Sequence, residues 1–211
     1  EAKMIVDAHG HFNTKQDFLR NAKKYATDEL ARRAYEGAAA SGDDPSPAEV
    51  ATTPEAWYAS LDQYGVDKIL LQVAPFGGND AVADFIKKSG SDRFVGIGNI
   101  DFIDPVGSKS VDEVSRIKDL GLKGIGELYP PIGPWDPGDE KFFPIYEKAQ
   151  ELGLPIMIHL CSEGLPAPWV NLAYNDPYLL DPALRAFPEL PFIFCHMAGD
   201  YIHHLWGMLT A

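Results

Sequence analysis

Six short apolar runs recur along this chain, the later ones at intervals near thirty residues, and each leads into a helix-like segment. The runs are Met4–Ala8, Lys68–Ala74, Phe94–Ile100, Lys123–Leu128, Pro155–Leu160 and Pro191–Cys195. Strands that are apolar on both faces belong in a sheet covered on both sides, the usual condition of a parallel sheet. The segments Pro54–Tyr64, Asp80–Lys88, Val111–Leu120, Glu140–Leu152, Pro177–Phe187 and Asp200–Leu209 carry helical patterning. Thr53 and Pro54 suit an N-cap and a first helical position. Gly121 and Gly153 stand where C-caps are expected, each just ahead of a new strand. Such alternation demands parallel pairing through crossover connections.

Two architectures satisfy it, an open doubly wound sheet and a closed barrel. His-Gly-His, not a glycine-rich phosphate turn, follows the first strand, and units of about thirty residues suit a barrel. The expected fold class is α/β, a TIM-type (β/α)8 barrel truncated after about six β/α units. Two more units would carry the 211 residues towards the ~250 typical of that fold. Residues 1–211 thus read as a single barrel domain with strands seven and eight absent. A long insertion follows the first strand at about 12–53, comprising a polar helical stretch (Lys15–Ala40) and a turn-rich loop (Ser41–Pro47). It reads either as a lid over that strand's end or as a solvated decoration.

Composition narrows the partners. Eighteen Lys and Arg against thirty-one Asp and Glu leave a net charge of −13. A surface of that sign repels phosphate backbones and anionic lipid, so neither nucleic acid nor a membrane surface is an expected partner. No apolar run approaches the ~20 residues that span a bilayer. The opening Glu1-Ala2-Lys3-Met4 has no basic-then-apolar leader pattern. Cys161 and Cys195 do not make a disulfide framework, which points to a reducing, cytoplasmic setting.

The histidines carry the chemical signal. In Ile5-Val6-Asp7-Ala8-His9-Gly10-His11, strand alternation places Asp7, His9 and His11 on one face. Two imidazoles on one strand suit Zn and other first-row divalent metals. His159 ends Pro155–His159 and His196 ends Pro191–His196, so four of six histidines stand at corresponding strand ends. In a barrel that end is where active sites form. His203 and His204 fall on the last helix and read as structural or surface residues. Cys161 and Cys195 read as small buried hydrophobes. Ser162 has no partner base apparent. Phe12, Tyr129, Trp135, Trp169 and Tyr174 occupy connecting segments and are candidates to line a substrate pocket.

Asp7-Ala-His9-Gly-His11, His159 and His196 resemble the metal-dependent amidohydrolase superfamily. The branch containing aminocarboxymuconate-semialdehyde decarboxylase and related amidohydrolases is the most similar. Supporting stretches are Asp92–Gly96, Gly121–Ile125, Phe143–Tyr146 through Gly153–Pro155, Asn175–Pro177 through Phe187–Leu190, and Cys195–Gly199. The resemblance implies one divalent metal, Zn first, with Mn or another first-row ion as alternatives. It implies His9, His11 and His159 as metal ligands, and His196 beside the metal as a catalytic residue. The family's further aspartate follows an eighth strand, which this sequence does not contain. Relatives often carry lysine-leucine-histidine where this chain has Glu127-Leu128-Tyr129, and Glu127 is a further candidate ligand, or a charge satisfied at the strand end.

The function so implied is hydrolysis of a small carboxylic ester, lactone or amide through a metal-activated water. Non-oxidative decarboxylation of an aromatic or unsaturated carboxylic acid uses the same ligands and is the alternative. The loops after the second to sixth strands hold no arginine for a substrate carboxylate, which favours hydrolysis. A third reading is a metal-binding fragment without activity. The expected partner is a small-molecule substrate, with a homodimer as an option.

Overall fold

The computed structural model describes residues 3–12, 53–73, 78–100, 108–131, 135–161 and 170–210. The expected insertion helix and turn, and Trp169, lie outside these residues. Within them the chain forms two compact units, Glu1–Gly98 with Leu120–Leu122, and Asn99–Asp119 with Lys123–Ala211.

The first unit is a three-stranded parallel sheet of β1 (Val6–Phe12), β2 (Lys68–Val73) and β3 (Phe94–Ile97), in that order. Among the described residues two helices accompany it, α1 (Pro54–Tyr64) and α2 (Asn79–Ser89). Thr53 occupies the α1 N-cap, although its side chain makes no capping bond, and Pro54 opens the helix. Gly65 and Gly90 end the two helices in left-handed conformation. Helix α2 buries Asn79, Val82 and Phe85 on one stripe. Val82 and Phe85 join Phe12, Ile69, Leu71 and Phe94 in the apolar core. Each such side chain contributes roughly 1.5–3 kcal/mol by leaving water. Arg93 ties this unit's entry strands together, donating to Asp62 Oδ1 (2.7 Å), Val66 O (2.7 Å) and Asp67 O (3.1 Å).

Strand β1 departs from its apolar run. Pairing begins at Val6 and continues through Gly10, His11 and Phe12, which lie opposite Leu71, Gln72 and Val73. Met4 and Ile5 are instead exposed. Hydropathy marks only the apolar half of a strand, whereas the backbone ladder runs on beneath the histidines. The register also slips between Asp7 and Gly10. Asp7 pairs with Ile69 and His11 with Gln72, three residues along β2, so the two occupy opposite faces. The expectation that Asp7 shares the histidine face is thereby corrected: the bulge breaks the alternation on which it rested.

The second unit has a parallel sheet of β4 (Ile125–Leu128), β5 (Ile156–His159) and β6 (Phe192–Cys195). Its helices are α3 (Ser108–Asp119), α4 (Phe143–Leu152), α5 (Asp181–Ala186) and α6 (Ile202–Thr210). The segment expected as one helix from Glu140 begins with a 3₁₀ turn, Glu140–Phe142, capped by the Asp139 side chain. Pro177–Leu180 likewise precedes α5 as a 3₁₀ turn, with Asp176 as its cap. Val114 and Ile117 of α3, Ile145, Tyr146 and Ala149 of α4, and Ile156–Ile158 of β5 are fully buried or nearly so. Gly126 allows β4 to approach β5. A Cβ at this residue would stand 2.6 Å from Met157 Cβ and 2.7 Å from its carbonyl oxygen, at a φ of +145°.

Backbone atoms of Met157 cannot rotate away from an added methyl. Gly126→Ala is therefore expected to cost about 3 kcal/mol or more, from overpacking and the positive φ together. Gly153, also at positive φ (+65°), has open space around it. Gly153→Ala should cost only about 1 kcal/mol. Urea unfolding of the two variants tests that order, and equal losses would refute the role given to the Met157 contact.

Candidate metal and catalytic residues

In the first unit His9 and His11 converge at the end of β1. Their Nε2 atoms lie 3.0 Å apart, with ring planes at 70°. Both side chains are half-buried. Two nitrogens bound at 2.0–2.1 Å to one tetrahedral ion stand about 3.3 Å apart. The imidazole pair is thus close to the spacing that a shared divalent metal demands. The Asp7 carboxylate does not join them through its face of the sheet; its Oδ1 accepts the His9 backbone N–H at 3.0 Å. Gly10, between the two, sits tightly on β2, where a Cβ would meet Ile69 Cδ1 at 2.6 Å.

In the second unit the strand ends converge on one carboxylate. Glu127 is 1% exposed. Its Oε1 accepts from His159 Nδ1 (2.8 Å) and His196 Nε2 (3.1 Å), and its Oε2 accepts from the Tyr129 hydroxyl (2.8 Å). An ionised carboxylate only accepts, so each imidazole carries a proton on the nitrogen facing it. For His159 this leaves Nε2 as the nitrogen available to a metal, the arrangement in which a carboxylate behind a histidine fixes its tautomer and ring orientation. Tyr129 stacks on His159 at 4.4 Å between centroids and holds the ring from the side. Glu127, His159 and His196 also offer three ligand atoms within 4.8 Å of one another.

The backbone supports both rings. Asn99 Nδ2 donates to the Glu127 carbonyl oxygen (3.1 Å). Beyond His159, the buried Asn175 amide clamps Cys161, accepting its N–H (3.1 Å) and donating to its carbonyl (2.7 Å). His196 opens a left-handed run, with φ of 58° at His196, 54° at Met197 and 59° at Ala198. Non-glycine residues held there cost on the order of 1–3 kcal/mol each and persist only where the surroundings enforce them. Here the run turns the chain out of β6 and delivers a ring that remains 34% exposed to the Glu127 oxygen.

The pocket candidates divide. Tyr129 is buried at the Glu127 carboxylate, and Tyr174 is half-buried. Phe12 is 6% exposed and packs on Phe85 at 4.9 Å. Trp135 is 5% exposed and packs on Phe142 at 4.7 Å. Both rings are thus buried against a neighbouring aromatic. Cys161 and Cys195 are buried and form no disulfide with each other. Burial and the neighbouring Glu127 carboxylate push the Cys195 thiol far above its ordinary value, so it is protonated. His204 Nδ1 meets Asp176 Oδ1 at 3.0 Å and stacks on Tyr178, while His203 is exposed. The sequence reading missed Asn99 and Asn175. A lone asparagine after a strand carries no pattern that distinguishes a clamp from a turn.

Burial, reinforced by Glu127, holds the Tyr129 hydroxyl well above the usual phenol value, and burial does the same for Tyr146. In the unfolded chain both ionise near pH 10. Folding therefore favours their protonated forms: this stability is intact below pH 10 and is lost as pH rises above it. The expected slope is up to about 1.4 kcal/mol per pH unit for each tyrosine. Tyr129→Phe should remove one part of that alkaline slope, while costing about 1–2 kcal/mol at pH 7 by depriving Glu127 of a donor. Denaturant titrations at pH 7, 10 and 11 measure both effects.

Residues 6–209 match the family model described as amidohydrolase. A 2-amino-3-carboxymuconate-6-semialdehyde decarboxylase from Dictyostelium discoideum is 24% identical over 137 residues, 58% of this chain and 37% of that protein. The chain thus spans well under half of that relative's length in the match. An uncharacterised TIM-barrel protein from Bordetella bronchiseptica superposes with a TM-score of 0.62 at 18% identity, over 97% of this chain and 72% of that one. A 5-carboxyvanillate decarboxylase from Novosphingobium aromaticivorans, solved with manganese and 3-methoxy-4-hydroxy-5-nitrobenzoic acid, gives 0.65 at 23% identity, over 97% and 69%. The fold is accordingly that of an α/β TIM barrel, shared by hydrolases and decarboxylases alike. With the family model spanning nearly its whole length, this chain belongs to the amidohydrolase family.

Proposed function

We propose that the chain carries the ligand-bearing part of a metal-dependent hydrolase acting on a small carboxylic ester, lactone or amide, in a single barrel domain. The observation that carries this reading is the pairing of His196 with the buried Glu127 carboxylate (3.1 Å). An accessible imidazole backed by a carboxylate is the usual form of a general base or acid. His9, His11 and His159 are proposed as ligands of one divalent ion, with Zn or Mn suited to such nitrogen donors. When bound, that ion would supply Lewis acidity towards a carbonyl and lower the pKa of water.

The chain's own residues then have distinct tasks. His159 presents Nε2 because Glu127 holds its Nδ1 proton. His196 accepts or returns a proton at the reacting face, and Glu127 keeps its ring aimed and stabilises the imidazolium. Tyr129 fixes the second carboxylate oxygen so that Glu127 cannot swing away. Tyr174 and Trp169 remain proposed contacts for the carbon frame of the substrate, whereas Phe12 and Trp135 would act from behind as packing.

Decarboxylation of an aromatic or unsaturated acid is the second reading, favoured by the decarboxylase from Dictyostelium discoideum that this chain resembles. It needs a cation for the substrate carboxylate. Among the described residues Arg93, Arg116 and Arg185 are engaged with Asp62, Glu113 and Asp181. Arg20, Arg32 and Arg33, in the stretch after β1, are the remaining arginines.

Metal content by mass spectrometry tests the shared part of both readings. About one ion per chain is expected, lost on His9→Ala or His159→Ala and retained in His196→Ala. Hydrolysis of lactones and esters that falls at least ~10²-fold in His196→Ala would carry the first reading. CO₂ release from aromatic acids, abolished by changing Arg20, Arg32 and Arg33, would replace it with the second.

A further inference from the structure

Strand β2 reads Lys-Ile-Leu-Leu-Gln-Val, and its one amide is fully buried: Gln72 has 0% exposure. Among the described residues neither its Oε1 nor its Nε2 has a hydrogen-bond partner. Leaving both ends of an amide unsatisfied in the interior is costly, and apolar residues of similar shape would remove that cost. The neighbouring positions are filled with such residues. Leu71 is likewise 0% exposed, and Ile97, opposite Gln72 on β3, is 2% exposed.

The sheet register says which face the amide is on. Gln72 lies opposite His11 on β1 and Ile97 on β3. Paired residues of parallel strands project to the same side, so Gln72 stands on the histidine-bearing face, one strand spacing of about 4.8 Å from His11. The other face is accounted for separately. Gly10, Leu71 and Gly96 are in register with one another, and a Cβ at Gly96 would meet Val82 and Ile86 of α2. Gln72 is therefore not a polar residue stranded under a helix.

We propose that Gln72 is a specificity residue of the His9–His11 centre, its amide reserved for a neutral substrate group that both donates and accepts, a hydroxyl or carboxamide. The inference rests on the metal-centre reading given above. An amide offers a complementary donor and acceptor side by side, and it carries no charge with which to hold an anion. A site built to hydrogen-bond such a group rejects analogues lacking it, because its own polar atoms are then left unpaired.

Gln72→Met tests this, since methionine keeps the unbranched shape and removes both polar atoms. The probes are salicylate and benzoate, which differ by one hydroxyl, titrated calorimetrically into metal-loaded wild type and variant. Wild type is expected to prefer salicylate about tenfold or more, and Gln72→Met to bind the two equally with metal content unchanged. The variant without probe should also melt at a temperature no lower than wild type. Unchanged preference for salicylate, absence of any preference in wild type, or a variant that melts well below wild type would each overturn the proposal, the last by showing that the amide has a structural task. A wild type that holds no metal would instead refute the metal-centre reading, and the same titrations on metal-free protein would still decide the role of Gln72.

Discussion

One buried carboxylate organises the chemistry of the second unit. Glu127 is removed from water almost completely, and a charge in that position persists only if its oxygens are fully engaged. Two imidazoles and a phenol meet that demand. The dependence is mutual: the histidines donate hydrogen bonds to the carboxylate, and the carboxylate decides which nitrogen of each ring carries a proton. Removing Glu127 would therefore alter two rings at once, and removing either ring would leave the carboxylate short of a partner in a low-dielectric interior. Gly126, the Asn99 contact to the Glu127 carbonyl and the close approach of β5 serve to hold this one side chain still.

The first unit solves a different problem. Along β1 the bulge turns Asp7 to the face opposite His11. The backbone under His9 and His11 is a ladder that continues to Phe12, with a glycine that lets β1 lie close on Ile69. Two imidazole nitrogens 3.0 Å apart suit one shared proton or one shared cation. That choice suits a metal centre, whose ligands must be close together yet free of protons when the ion arrives.

Much of this was legible in the residues. The parallel strands announced themselves as apolar runs, and the helices between them followed from the alternation of periods. His159 and His196 could be placed because each closes such a run. Glu127 stood out as a charge at a strand end, although nothing in the sequence distinguishes a ligand from an acceptor for two histidines. That distinction depends on side-chain geometry. The bulge between Asp7 and Gly10 was not legible either, since a register slip leaves the composition of the strand unchanged. Trp135 illustrates the same limit, for an aromatic in a connecting segment can turn inward or outward with no local mark of the difference. Gln72 left a plain trace, one amide in an apolar strand, whose meaning emerged only with its burial and register.

The left-handed run from His196 to Ala198 carries a consequence for how such a protein can change. Glycine at Met197 or Ala198 would relieve backbone strain, and any search for a hardier molecule would be drawn to those two positions. Yet the same relief would let the turn after β6 take up other shapes, and the imidazole would lose the constraint that keeps it on the Glu127 oxygen. Thermal robustness and the aim of the proposed proton-transfer residue are thus set against each other within three consecutive residues, so a hardened variant could pass every test of folding and still have lost the proposed proton transfer.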